Sequence, residues 1–170
     1  MVKPVRSHDV LSRGPVALIN CEAYADGEFK YIMNYQDHVT KFVHLYPLKT
    51  KTAAEVAWPL LEIFLSFGAL VILQSDNGKE FVASVISELK QLWPDLKIVH
   101  GRPRHPQSQG RVERSNGEIK KKLGMWIRDN KSLKLSIGNK FVQFQYNSTV
   151  NRNLECSSFK STFGIEPLID

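Results

Sequence analysis

Ile72-Leu73-Gln74-Ser75-Asp76-Asn77-Gly78-Lys79-Glu80-Phe81 changes from apolar to polar within one short run. It reads as a strand that stops at Ser75, a turn through Asn77-Gly78, and the opening of a helix. An acid at the end of a strand, before a glycine turn and a helix, stands where α/β folds place a working carboxylate. The same Asp76 also suits a helix cap. The stretch alone leaves both readings open, and the chain on either side has to decide.

Upstream, three apolar or alternating runs at 16–21, 29–35 and 41–48 read as strands joined by short turns, with Asp26-Gly27 as a hairpin signal. Pro47 confines the third strand near its end. The period then changes. Ala53, Val56, Ala57, Leu60, Leu61, Phe64 and Leu65 form the stripe of an amphipathic helix over 52–67. Thr52 and Glu55 have capping-box spacing, Gly68 suits the C-terminal end, and Pro59 should kink or break the helix.

A fourth strand at 70–74 leads into Asp76, and a helix at 80–93 stops before Pro94. Residues 97–100 read as a fifth strand, 101–110 as a loop with two prolines and two arginines, and 111–129 and 133–147 as helices. The tail, 148–170, reads as mostly irregular. The order predicts one α/β domain: a five-stranded mixed sheet with helices on both faces. Residues 1–12 form a polar lead-in and 13–168 the domain.

Composition narrows the function classes. The chain has 170 residues, is 42% hydrophobic and carries a net charge of +6, which favours a polyanionic partner. It has no apolar run long enough to span a membrane and no N-terminal segment suited to a signal peptide. Cys21 and Cys156 lie far apart, and His8, His38, His44, His100 and His105 lack close ligand spacing, so no structural zinc is expected. The cysteines read as buried thiols in a reducing compartment, cytosol or nucleus.

Glu113 stands near the predicted start of a helix, after a glycine-containing loop. Two such carboxylates, one ending a strand and one on a helix, suit hard divalent cations that activate a hydroxyl and stabilise a leaving oxygen. Phosphoryl transfer asks mainly for positioning and charge neutralisation. The segments SDNGKEF at 75–81 and HPQSQGRVERSN at 105–116, with the spacing between them, closely resemble the catalytic core of retroviral and gypsy-type retrotransposon integrases. So do Tyr31-Ile32 with Asp37-His38-Val39-Thr40-Lys41, and the tail from Tyr146-Asn147 to Phe163-Gly164-Ile165-Glu166-Pro167. The resemblance covers about residues 13–168 and extends to host-captured integrase cores of KRAB- or SCAN-associated vertebrate proteins.

What the resemblance implies is an RNase H-like fold, a D,D-35-E triad holding two Mg2+ or Mn2+ ions, strand transfer into DNA, a nuclear location, and a homodimer packed through the helix at 52–67 and the late helices. Asp76 and Glu113 match the second and third triad positions. The first position departs: the strand reads Val16-Ala17-Leu18-Ile19-Asn20, with Ala17 where the family carries Asp. Alternation turns Asn20 and Glu22 away from the Ala17 face and leaves Ile19 and Cys21 on it. An integrase-type domain with impaired catalysis is therefore expected. The alternative is a captured, non-catalytic module for binding or dimerisation in transcriptional regulation.

Lys120 follows Glu113 by two helical turns on the same face, with Arg114, Lys121 and Lys122 beside it. These, with Arg102, Arg104 and His105 in the loop, are candidate DNA-phosphate contacts, and each also suits a solvated basic surface. Asn116 could support the Glu113 site or simply be an exposed helical residue. Trp58, Trp93 and Trp126 read as core or interface residues.

Overall fold

Alternation of apolar side chains in the first three strands sets the sheet. The structure, a computed structural model, describes residues 13–24, 26–67, 72–75, 79–96, 106–132 and 134–169. Strand β1 (Arg13–Asn20) pairs antiparallel with β2 (Tyr31–Gln36), and β2 pairs antiparallel with β3 (Val43–Leu48). After α1 (Ala53–Phe67), strand β4 (Ile72–Ser75) returns parallel to β1, giving the order β3-β2-β1-β4. The strand expected at 97–100 lies outside the described residues.

The two sheet faces carry separate cores. Val16, Met33, Tyr35 and Leu48 pack against Val56, Leu60 and Phe64 of α1 and against Val85 and Leu89 of α2 (Lys79–Leu92). Ile19, Cys21, Ile32 and Leu45 pack against Ile119, Leu123 and Ile127 of α3 (Pro106–Asn130) and against Leu135 and Val142 of α4 (Leu135–Ser148). Each large apolar side chain buried this way stabilises the fold by roughly 1.5–3 kcal/mol. Helices therefore cover both faces of a mixed sheet, as the element order predicts.

Three local expectations are corrected. Helix α1 runs unbroken through Pro59, whose ring is buried with Leu60, Leu61, Ile63 and Phe64; burial of that flank offsets the missing N–H. At its start Glu55 accepts the backbone N–H groups of Lys49 and Thr50 rather than closing a box with Thr52. Helix α3 begins at Pro106, inside the predicted loop, because a proline at the first helical position needs no N–H partner and already has a helical φ. Glu113 consequently lies two turns into the helix.

The tail is ordered over the described residues. A two-stranded ladder of β5 (Val150–Asn151) and β6 (Cys156–Ser157) feeds α5 (Ser158–Phe163). Ser157 caps α5 by accepting the Lys160 N–H at 3.0 Å, and Gly164 ends it at φ 81°. Phe163 packs edge-on against Phe42 at 5.8 Å between ring centroids, fastening the tail to the start of β3.

Helix α4 closes the exposed edge of the sheet with side chains. Asn147 accepts the Val43 N–H and donates to the Val43 carbonyl, both at 2.9 Å. Gln143 accepts the Leu45 N–H at 2.8 Å, and Lys140 donates to the Leu45 carbonyl at 2.6 Å. The next outward position on the strand is Pro47, which has no N–H. Lys140, Gln143 and Asn147 thus act as a surrogate strand along β3, and the edge is blunted against pairing with another chain.

Candidate functional site: the β1–β4 strand ends beneath helix α3

Register brings the two relevant strand ends together. Val16 pairs with Ser75, so the residues that precede Ala17 and Asp76 in sequence are neighbours across β1 and β4. Asp76 itself lies outside the described residues, as do Arg102, Arg104 and His105 of the predicted clamp.

Pairing of Val16–Asn20 with Tyr35–Tyr31 is continuous, with no bulge to reverse the alternation. Ala17 is 0% exposed, Ile19 and Cys21 are buried with it, and Asn20 and Glu22 are exposed. The two polar residues are engaged elsewhere. The Glu22 N–H donates to Asn20 Oδ1 at 2.9 Å, and the Tyr31 hydroxyl donates to Glu22 Oε1 at 2.8 Å. Hydrogen bonds from Tyr31 and then Asn20 hold the Glu22 carboxyl below the usual range. Neither side chain replaces a carboxylate at Ala17.

Beside Ala17 lies its cross-strand partner, Asn34. Asn34 is 2% exposed, and its Nδ2 donates to Ser115 Oγ at 3.3 Å and to Asn116 Oδ1 at 3.0 Å. Asn116 is therefore half-buried and tied to the sheet, unlike a plain surface asparagine. Tyr146 of α4 joins through hydrogen bonds to Ser115 and Gln36; its pKa is raised, chiefly by burial. Asn34 Oδ1 is buried without a hydrogen-bond partner among the described residues. This amide-centred cluster was missed in the sequence, although an asparagine at a buried parity of the strand YIMNYQ is a readable signal.

Glu113 is exposed on α3, two residues before Ser115, and Arg114, Lys120 and Lys121 are exposed on the same helix. Lys120 lies near enough to Cys21 to favour its thiolate, but burial dominates and pushes the Cys21 thiol up to about 11. Cys21 is thus an inert buried thiol, while Cys156 is only half-buried. Trp126 stacks on Phe141 at 5.8 Å, Trp93 packs on the α1/α2 core, and Trp58 is exposed, which removes it from the core.

A pair of divalent ions needs convergent oxygen ligands. Among the described residues no three His, Cys, Asp or Glu side chains come together to hold a metal. Among the described residues, the face at Ala17 presents Ala17, Ile19 and Cys21, with the neutral amide of Asn34 beside them. The described donor set does not fit a two-ion site.

No protein-family model matches the chain. It is 42% identical over 162 residues to human KRAB-A domain-containing protein 2, which covers 95% of this chain and 33% of that protein. It is 43% identical over 96 residues to the Gag-Pol polyprotein of koala retrovirus, covering 55% of this chain and 6% of the polyprotein. The chain thus spans a third of the first relative and a small part of the second. Among solved structures, the catalytic core domain of BIV integrase superposes with a TM-score of 0.67 over 90% of this chain and 94% of that one, at 20% identity. That likeness shows the fold, which is RNase H-like. In sequence the chain is similar to these two proteins, and in fold it is like the catalytic core of a retroviral integrase.

Proposed function

We propose that this domain is a nucleic-acid-binding integrase core of retroelement descent in which metal-dependent strand transfer is impaired or lost. The observation that carries the reading is Ala17: fully buried, on an unbulged strand, at the position where the family carries its first Asp. Three carboxylates around two divalent ions leave a charge of about +1 for the phosphate to neutralise, and two leave about +2 with one ion poorly ligated. Asp76 and Glu113 are the remaining candidate ligands for Mg2+ or Mn2+, and a single ion is the most they would hold. In this reading DNA phosphates meet Lys120, Arg114 and Lys121 on α3 and Arg102 and Arg104 before it, the domain works in the nucleus, and it acts as a homodimer.

The test pairs metal binding with catalysis. Thermal melts of wild type, Ala17→Asp and Ala17→Asp/Asp76→Asn are run with Mg2+, Mn2+ or chelator, alongside a strand-transfer and nicking assay. Wild type should show little metal-dependent shift and little activity. Ala17→Asp should be the less stable protein in chelator, by about 3 kcal/mol for an unpaired buried carboxylate, and should recover stability on adding metal only while Asp76 is present. Wild-type strand transfer equal to that of Ala17→Asp would overturn the reading.

A captured module for dimerisation in transcriptional regulation is the second reading. Exposed Trp58 and Leu65 on α1 and Ile137, Phe141 and Phe144 on α4 favour it. It requires no metal, so a melt indifferent to metal in every variant supports it over the first.

A further inference from the structure

Helix α3 continues well past Glu113, and its later turns form one bank of an open groove of about 560 Å³. Lys120, Lys121, Gly124, Met125 and Arg128 line it from the helix, and Tyr24, in the 3-10 turn Glu22–Tyr24 after β1, lines it from the other side. Among the described residues, three cations and no carboxylate line the groove. Of the adjacent acids, Glu22 is turned to Tyr31 and Asn20, while Asp129 lies 3.9 Å from the Nε of Arg128 itself, a loose and exposed pair worth little that a phosphate can displace. Gly124 leaves the floor bare. A Cβ there would lie 3.8 Å from the Tyr24 hydroxyl, so that hydroxyl, rather than the ring face, is what Tyr24 brings across the gap. It makes no hydrogen bond among the described residues.

Resting on the nucleic-acid-binding reading above, we propose that this groove seats the phosphate backbone of duplex DNA, with Lys121 and Arg128 each neutralising a phosphate and the Tyr24 hydroxyl donating to a phosphate oxygen. Lys121, Gly124 and Arg128 fall at intervals of three and four on one helix face. Lys121 and Arg128 are separated by about 10 Å of helix rise, and their long side chains can each reach a separate phosphate of one backbone. Lys120 makes the groove continuous with the Glu113 face, so Tyr24 and Arg128 extend the DNA path rather than begin a second one. A hydroxyl with no base-reading partner beside it positions the backbone and carries no sequence information.

The experiment is fluorescence anisotropy of a short labelled duplex over a salt series, with wild type, Lys121→Ala/Arg128→Ala, Tyr24→Phe, Gly124→Leu, and Lys90→Ala on α2 as a remote control of charge. Circular dichroism melts confirm that each variant is folded. Losing two phosphate contacts should lower the slope of log affinity against log salt by about 1.8. Tyr24→Phe should weaken binding by up to roughly tenfold with the slope unchanged. Gly124→Leu alters no charge but fills the floor, and should weaken binding at least as much. Lys90→Ala should leave the slope nearly as in wild type. If wild type binds the duplex and the groove variants match it, or if Lys90→Ala costs as much as they do, the groove assignment falls and the nucleic-acid reading stands. If wild type binds no duplex at low salt, both fall. Displacement of the duplex by polyglutamate at equal charge, to the same extent as by unlabelled duplex, overturns the choice of DNA as occupant.

Discussion

A single amide, that of Asn34, joins the sheet to α3 beside the position where a carboxylate would be expected. Its nitrogen serves Ser115 and Asn116, while its oxygen is buried without a partner among the described residues. Asn34→Leu therefore loses two hydrogen bonds but also removes an unsatisfied acceptor, and should cost only about 1 kcal/mol. Asn34→Asp turns a second oxygen toward the Ser115 and Asn116 oxygens and should cost about 3 kcal/mol at neutral pH. Urea melts of the two variants decide it: an aspartate tolerated as well as leucine would mean the pocket accepts negative charge. A second buried residue gives the molecule a pH dependence. His44 sits among Phe42 at 4.9 Å and Phe67 at 4.8 Å, and burial lowers its pKa from 6.5 to about 4, with Asp37 opposing and Lys140 assisting. The unfolded chain then binds this proton at a higher pH than the folded one. Its contribution is complete above the unfolded value and is lost as pH falls from 6.5 toward 4. The loss should reach about 3 kcal/mol, and His44→Phe should flatten that part of a stability–pH curve measured by chemical denaturation.

Among the elements, α4 is the one whose role the sequence concealed. The apolar period of 133–147 announces a helix and its buried side, and the alternation of the first three strands announces the meander. Both are local signals, and both are matched by the structure. That Lys140, Gln143 and Asn147 would lie along the edge of β3 depends on where the helix docks, nearly a hundred residues away in sequence, and no local pattern encodes it. The early start of α3 was hidden for a different reason. Two prolines and two glycines read as a loop, although Pro106 can open a helix as readily as end one. At the candidate site the family resemblance pointed to Glu113 and Ala17, but it gave no sign that Asn34, Ser115 and Tyr146 meet, because a cluster spread over β2, α3 and α4 leaves no motif. Asn147 offers a direct test of the surrogate strand. It is buried and satisfies both backbone groups of Val43, so Asn147→Ala leaves two strand-edge groups unpaired and should cost about 2–4 kcal/mol. Native-state hydrogen exchange should show the Val43 N–H losing protection well before those of β2. Unchanged protection would mean water replaces the side chain without cost.

For the whole molecule, the edge device and the exposed apolar surface limit how two copies can meet. With Asn147, Gln143, Lys140 and Pro47 occupying the β3 edge, association by extending the sheet from that side is blocked. Ile137, Phe141 and Phe144 recur at intervals of four and three along the outer side of α4, and Trp58 and Leu65 lie exposed on α1. Phe141 is stacked on Trp126, and Gly138 has no room for a Cβ because the Trp126 ring would lie 2.5 Å from it, so this surface is rigid rather than fluid. Rigid, exposed aromatic and aliphatic side chains suit the core of an interface between helices. A homodimer formed through these helices is accordingly a helix-on-helix contact, held by apolar burial and insensitive to salt, in contrast to the salt-sensitive DNA contacts proposed for α3. The paired variant Ile137→Lys/Phe144→Glu avoids the Trp126 stack and adds one charge of each sign, so the net charge of +6 is unchanged. Light scattering behind a sizing column should show wild type dimeric at both low and high salt, and this variant monomeric with a nearly unchanged melting profile. A wild type that is monomeric at high protein concentration, or a variant that stays dimeric, would exclude this face as the dimer contact.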